Sequence, residues 1–276
     1  MYLAIDIGAT KVLFAVFTEN GKITEQLKFP TPEEYPKFID EIEKNINQLK
    51  EHDFKNATIA IPAKLDRKNG IAIAFGNRPW RNKHIESDLN RILKCPIQIE
   101  NDAKLAALSE AINIKKDFKK VLYVTISTGI SSGLIINGII DESMQDSESG
   151  QMWFDRNGKR TQWEDFASGR AIVEKYGKRA SEITDKKIWK EISQNIAIGL
   201  IELIAVIQPE VIVLGGGVGT HFSKYKKPLL EELAKYELPI IPIPPIIKAV
   251  NPEEAVVYGC YHLSKKAYEQ INQRSN

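Results

Sequence analysis

The sequence is short of cysteine, with two in 276 residues, Cys95 and Cys260. Two thiols so far apart support neither a disulfide framework nor a zinc knuckle, which needs ligands paired at close spacing. An excess of either charge is also missing: 38 Lys and Arg stand against 36 Asp and Glu, a formal net charge of +2. The lysines are interleaved with acids, and no basic block marks a surface for nucleic acid or an anionic membrane. Long apolar runs are absent. Stretches such as Val121–Val124 and Val211–Leu214 fall far short of the ~20 residues that cross a bilayer. No region is of low complexity, and the chain opens on a strand-like run at Tyr2 with no charged leader or cleavage signal. These absences point to a cytoplasmic globular protein, long enough for one or two cored domains.

What is present alternates strands with helices. Residues 2–17 run apolar around a break at Gly8 and reach an Asn20-Gly21 turn, the pattern of a hairpin. Tyr35–Lys50 carries Phe38, Ile39, Ile42, Ile46 and Leu49 at helical spacing. A short strand follows over Thr58–Ile61, then a helical stretch at Asp88–Leu93, a strand at Ile97–Ile99 and a helix over Ala103–Ala111. Later come a long apolar-periodic helix, Ile188–Ile207, a strand at Val211–Leu214 and a final helix over Glu253–Gln270. Pro239–Pro245 is extended rather than helical. This alternation predicts an α/β fold.

The pattern also repeats. Leu3–Thr10 lies over Leu122–Gly129 without a gap, each a strand, a polar Gly/Thr loop and a second strand, with an Asn-Gly pair beyond (Asn20-Gly21, Asn137-Gly138). The second strands differ slightly in length. Two similar domains facing one another across a cleft are one explanation; the general likeness of β-hairpins is another. The expected division is residues 1–115, holding the first loop, and 116–276, holding the second, with the final helix free to pack back on the first.

Three loops have the chemistry of polyphosphate sites. In Asp6-Ile-Gly8-Ala9-Thr10-Lys11, glycine lets backbone N–H groups approach an anion, Thr10 adds a hydroxyl and Lys11 a charge. Asp6 suits Mg2+, held through water. A purely structural turn is an equally good account of this loop alone. Ser127, Thr128, Gly129, Ser131, Ser132 and Gly133 form the counterpart in the second half, and Gly215, Gly216 and Gly217 follow a buried strand where a flat adenosine could lie. The segment Glu100-Asn101-Asp102-Ala103 ends a strand and opens a helix, the position at which ligands sit in α/β sheets. Asp102 there is either the N-cap of the helix or a base that takes the proton of an attacking hydroxyl.

Taken in order, these segments resemble the ROK family of repressors, open reading frames and kinases, over essentially the whole chain. Asp6–Lys11 is similar to its first phosphate motif and Asn77-Arg-Pro-Trp80 to the Asn-x-Pro-Trp segment of its glucokinases. Glu100–Ala103 resembles its catalytic segment and Ser127–Leu134 its second phosphate motif. Glu148-Ser-Gly150-Gln151 is similar to its Glu-x-Gly-His segment, and Glu164 matches a sugar-binding glutamate. The resemblance implies an actin-like, ribonuclease H-like two-domain ATPase fold. It implies Mg-ATP as phosphoryl donor, glucose at O6 as acceptor, Asp102 as base, and Asn77, Asn101, Asp102, Glu148, Gln151 and Glu164 around the sugar. It also implies a cytoplasmic homodimer.

Three departures stand out. Gln151 occupies the histidine position and Met152–Trp163 contains no cysteine, so no structural zinc is expected. The second loop is serine-rich where the family is glycine-rich, and Ala63-Lys64 replaces a common Gly-Pro. A polyphosphate-using kinase, an N-acetylhexosamine kinase and a non-catalytic sugar- or nucleotide-binding pseudokinase are the alternatives. A ROK-type regulator would carry a helix-turn-helix domain ahead of the first loop, and the chain begins on that loop.

Overall fold

The first strand is apolar on both faces, and in the computed structural model of the chain it lies mid-sheet. Residues 1–275 are described apart from 77, 157, 252 and 253. Two compact units result, Met1–Ser109 with Glu254–Asn276, and Glu110–Glu253.

In the first unit, β1 (Tyr2–Ile7), β2 (Lys11–Phe17), β3 (Ile23–Pro30), α1 (Tyr35–Ile46) and β4 (Asn56–Ile61) are followed by a small meander, β5 (Ala63–Asp66), β6 (Ile71–Phe75) and β7 (Arg81–Lys83). Then come α2 (Ile85–Leu93), β8 (Ile97–Asn101) and α3 (Asp102–Ile114). The main sheet runs β3-β2-β1-β4-β8, antiparallel across the first three strands and parallel from β1 to β8. Alternation along β1 sends Leu3, Ile5 and Ile7 to a core shared with Phe38, Ile42 and Leu89 of α1 and α2. Tyr2 and Ala4 face the other way, onto the closing helix Ala255–Ser275. Tyr261 of that helix stacks on Phe17 at 5.1 Å, and Ser264 shares a buried 2.6 Å hydrogen bond with Thr58. This helix therefore belongs to the first unit, and the division expected after residue 115 falls inside α3 at Ser109/Glu110. The reason is the two-sided sheet: without the helix its second apolar face would be bare.

The second unit repeats the plan. Its strands are β9 (Lys120–Ile126), β10 (Ile130–Ile136), β11 (Ile139–Ile140), the β12–β13 hairpin (Trp153–Arg156, Lys159–Gln162), β14 (Val211–Gly215) and β15 (Ile246–Lys248). Its helices are α4 (Glu164–Ala167), α5 (Gly169–Tyr176), α6 (Lys186–Ile207), α7 (Gly216–Gly219) and α8 (Phe222–Leu233). The main sheet runs β11-β10-β9-β14-β15 with the same sequence of antiparallel and parallel pairings. Helix α6 buries Trp189, Ile196 and Leu203 against Leu122 of β9 and Leu229 of α8, with Asp185 Oδ1 accepting from Lys187 N–H at 2.7 Å as its N-cap.

The overlay read from the sequence is the register of the two hairpins. Strands end at Ile7 and Ile126 and resume at Lys11 and Ile130, leaving loops of equal length. The expected difference in second-strand length is not present, since β2 and β10 have 7 residues each. The difference lies in the next turn, residues 18–22 in one copy and the Asn137-Gly138 pair alone in the other. Those two residues have φ of 53° and 74°, the left-handed pair of a tight I′ hairpin. Among the described residues no helix is long and apolar enough to cross a membrane.

Candidate functional site

In the first unit the chemistry-bearing residues gather at the carboxyl ends of β1 and β8. Parallel pairing sets Asp6 beside Ala60, and Ala60 beside Glu100, so the β1–β2 loop and the β8–α3 junction open at the same edge of the sheet. The loop Gly8–Thr10 closes with Gly8 N–H donating to Lys11 O at 2.9 Å. Its carbonyls are held from outside the loop. Gly8 O accepts from Thr31 Oγ1 at 2.8 Å, Ala9 O from Arg78 Nη2 at 2.5 Å, and Thr10 O from Thr31 N–H at 3.1 Å. Ala9, Thr10 and Lys11 are exposed at the rim.

The N-cap question at α3 is decided by geometry. Asn101 Oδ1 accepts from Ala103 N–H at 3.0 Å and from Lys104 N–H at 3.4 Å, so Asn101 is the cap. Asp102 is the first helical residue, accepting from Ala103 N–H at 2.8 Å. Behind it, Glu100 is 5% exposed and takes a two-pronged contact from Arg67, Nε at 2.8 Å and Nη2 at 2.5 Å, while its Oε1 also accepts from Asn101 N–H at 2.6 Å. Arg67 comes from the β5–β6 turn.

Burial raises the pKa of Asp102, offset by the Ala103 N–H bond and by Lys104. Asp6 is pushed up to about 7, first by burial and then by the Asp102 charge, against the pull of Lys11. A hard cation beside these two carboxylates would relieve the repulsion between them, so the donor set is compatible with Mg2+ held through water at Asp6. The shift also predicts a stability effect. A carboxyl with a raised folded pKa contributes fully at low pH, and that contribution is lost as pH rises from about 4 through about 7. In magnesium-free buffer, Asp6→Asn should therefore gain melting temperature relative to the parent between pH 4 and pH 8. Calorimetry at both pH values checks this, and a gap that does not widen would discard the burial account.

In the second unit the loop Ser127–Gly129 is closed by Ser127 N–H to Gly129 O at 2.9 Å, and Ser127 O accepts from Gly169 N–H at 2.6 Å. Glu164 lies against it. Its Oε2 accepts from Ile130 N–H at 3.3 Å, and a Cβ on Gly129 would stand 2.7 Å from that oxygen. Gln151 Nε2 donates to Glu164 Oε1 at 2.9 Å, and Gln151 Oε1 accepts from Gln162 Nε2 at 2.5 Å. The segment that lacks cysteines thus folds around the β12–β13 hairpin, and Gln162, the last residue of β13, meets the end of the Gln151 amide that faces away from Glu164. Among the described residues no cluster of three or more His, Cys, Asp or Glu could hold a metal. Glu148 immediately precedes the short turn Ser149–Gln151.

The structure gives several of the singled-out residues a definite place in the fold. Ser131, Ser132 and Gly133 are in β10, paired with Thr125, Val124 and Tyr123, so the loop proper contains one serine and Gly133 is a strand residue outside the loop. Gly215 and Gly216 have packing reasons of their own. A Cβ at Gly215 would strike the Tyr123 hydroxyl at 2.2 Å, and Gly216, at φ 75°, lies on the Ile126 carbonyl. A Cβ at Gly217 would meet nothing within 4 Å, so no packing contact of that kind requires this glycine. Trp80 is a core residue, donating to Glu33 O at 2.6 Å. Asn77 lies outside the described residues. Thr31, Arg67, Arg78 and Gln162 were not foreseen; the Asn69-Gly70 turn beside Arg67 was the available signal for the meander that carries it.

A profile of the ROK family matches residues 2–267. The chain belongs to the ROK family. A putative fructokinase of Bacillus subtilis is 30% identical over 232 residues, covering 78% of this chain and 76% of that one. An N-acetyl-D-glucosamine kinase of Vibrio atlanticus is 27% identical, covering 96% of this chain and 100% of that one. Among solved structures, a ROK family glucokinase from Streptomyces griseus in complex with glucose and AMPPNP superposes with a TM-score of 0.80 at 22% identity, covering 96% of this chain and 99% of that one. The two repeated units are those of the actin-like, ribonuclease H-like ATPase fold that this ROK chain shares with it.

Proposed function

We propose that this ROK protein is an ATP-dependent sugar kinase that phosphorylates a hexose, glucose at O6 being the first candidate, with Asp102 as the base. The observation that carries the reading is the place of Asp102: first in its helix, at a strand's carboxyl end, uncommitted to the cap, with its pKa raised. A carboxylate so placed accepts the proton of the sugar hydroxyl as that oxygen bonds to the γ-phosphorus and the bond to the β,γ-bridging oxygen breaks, leaving ADP.

The other residues bind and orient. Ala9 and Thr10 offer backbone N–H groups to the phosphates, with the Thr10 hydroxyl and Lys11 charge beside them; in the second unit the Ser127–Gly129 loop and Gly217 are the candidate nucleotide-binding residues. Asp6 would hold Mg2+ through water, and the ion when bound would supply charge neutralisation at the phosphate oxygens. In the second unit Glu148, Gln151 and Glu164 present oxygens and an amide to sugar hydroxyls, and in the first Asn101 and Asp102 do so. A wrong epimer would leave such groups unpaired.

A coupled ADP-release assay with Mg-ATP, run over glucose, mannose, fructose, N-acetylglucosamine and N-acetylmannosamine with Asp102→Ala as control, tests the reading. Sugar-dependent turnover that is lost in the control supports it and names the substrate. Turnover with polyphosphate but not ATP would replace the donor. Silence across the panel with either donor would make the chain a non-catalytic binding protein.

A further inference from the structure

The Gly8–Thr10 loop has all three of its carbonyls engaged, and among the described residues the engagement comes from Thr31 and Arg78. Thr31, 7% exposed, holds Gly8 O through its hydroxyl and Thr10 O through its N–H. Arg78 holds Ala9 O through Nη2, and the same nitrogen donates to Thr31 O at 2.9 Å. In a trans peptide the N–H of each residue points opposite to the preceding C=O, and the described chain contains no cis bond. Tying the carbonyls of Gly8 and Ala9 to Thr31 and Arg78 therefore turns the N–H groups of Ala9 and Thr10 away from both, toward the open rim. A short run of N–H groups presented to one side is an anion-binding nest. Left to itself, a loop containing a glycine would sample conformers in which these peptides are flipped. Arg78 also brings a permanent positive charge to the underside of the loop. Its Nε is buried and makes no hydrogen bond among the described residues, so this guanidinium is not fully matched by protein acceptors.

We propose that Arg78, with Thr31, is the positioning residue of the first phosphate loop and sets the affinity for the nucleotide's phosphates. The proposal rests on the kinase reading above, because it takes that loop to be a nucleotide site. Three features set it apart from general structural support. It acts on phosphate affinity and not on sugar affinity. It depends on one arginine nitrogen, Nη2, reaching the Ala9 and Thr31 carbonyls together, as well as on charge. And Thr31, which reaches the same loop from the end of β3, should act in the same direction.

The experiment measures AMPPNP and tripolyphosphate binding by calorimetry, together with KM for ATP and for the sugar, in four proteins: the parent, Arg78→Met, Arg78→Lys and Thr31→Val. Arg78→Met keeps the aliphatic bulk and loses every donor, and is expected to weaken AMPPNP and tripolyphosphate about tenfold or more, the usual scale for losing a charge-assisted hydrogen bond. Arg78→Lys should recover part of that loss and Thr31→Val should share it. The sugar KM should stay within about twofold of the parent, a span corresponding to well under one hydrogen bond. Unchanged nucleotide affinity in Arg78→Met, in a parent that binds AMPPNP, would overturn this proposal and leave the kinase reading standing. Equal weakening of sugar and nucleotide would overturn it as well, by reducing Arg78 to a fold-supporting residue. A parent that binds neither AMPPNP nor tripolyphosphate would overturn both.

Discussion

Asp102→Asn should lose turnover by roughly 10²- to 10⁴-fold while keeping its fold and its sugar affinity. The substitution is nearly isosteric, and the α3 cap does not depend on it, because Asn101 Oδ1 receives the Ala103 and Lys104 N–H groups. The amide oxygen introduced by the substitution can still accept from Ala103 N–H, as the carboxylate does at 2.8 Å. What is removed is the ability to take a proton and hold it. Burial already disfavours the charged form of Asp102, so neutralising it should leave the melting temperature unchanged or raised. The same change relieves Asp6, whose pKa is raised in part by the Asp102 charge. Steady-state kinetics with the preferred sugar, beside calorimetric titration of that sugar, separate the effects. Loss of kcat with an unaltered sugar Kd and no fall in melting temperature is the expected result. Near-parental kcat would remove Asp102 from its role, and a collapse in melting temperature would make it a structural residue.

What the sequence made legible follows the range of the signals. The paired hairpins could be read because strand alternation, a polar loop and an Asn-Gly turn are all local. The β8–α3 junction was equally plain, as a strand meeting a helix at Asn101-Asp102. The small meander β5–β7 was not legible: its strands have 4, 5 and 3 residues, too short for a period to declare itself. Helix α8 was hidden by Pro228, which lies inside it and argues against a helix on its own. The roles of Gly215 and Gly216 depend on Tyr123 and Ile126, nearly a hundred residues away in sequence but neighbours across β9 and β14. Cross-sheet packing of that kind leaves no trace in a linear pattern. The same holds for the residues that brace the site. Arg78 reaches a loop 69 positions earlier and Arg67 a glutamate 33 positions later.

That second bracing contact carries the largest expected stability effect. Arg67→Met should cost about 3–5 kcal/mol, the usual consequence of leaving one partner of a buried ion pair behind. Glu100 is the buried partner, its side chain 6% exposed against 20% for Arg67, so the stranded charge is the carboxylate. Water can reach the arginine side in part, which places the loss toward the lower end of that range. For a chain of this size it would appear as a fall in melting temperature of about 6–12 °C, taking roughly 2–4 °C per kcal/mol. Glu100→Gln alone keeps an acceptor for Asn101 N–H, bonded to Glu100 Oε1 at 2.6 Å, but removes the carboxylate charge that Arg67 contacts through Nε and Nη2. The double variant Arg67→Met/Glu100→Gln removes both charges and should be more stable than Arg67→Met, because no uncompensated carboxylate remains. Catalysis separates a brace from a mere staple. Glu100 is joined through Asn101 N–H to the residue that caps α3 and precedes Asp102, so freeing it should lower kcat even in the double variant whose stability has recovered. The pH dependence of kcat should hold its position, since neither Arg67 nor Glu100 is among the groups that shift Asp102. A double variant with recovered stability and parental kcat would confine the Arg67–Glu100 pair to folding. A single variant as stable as the parent would show that water, not Arg67, satisfies Glu100.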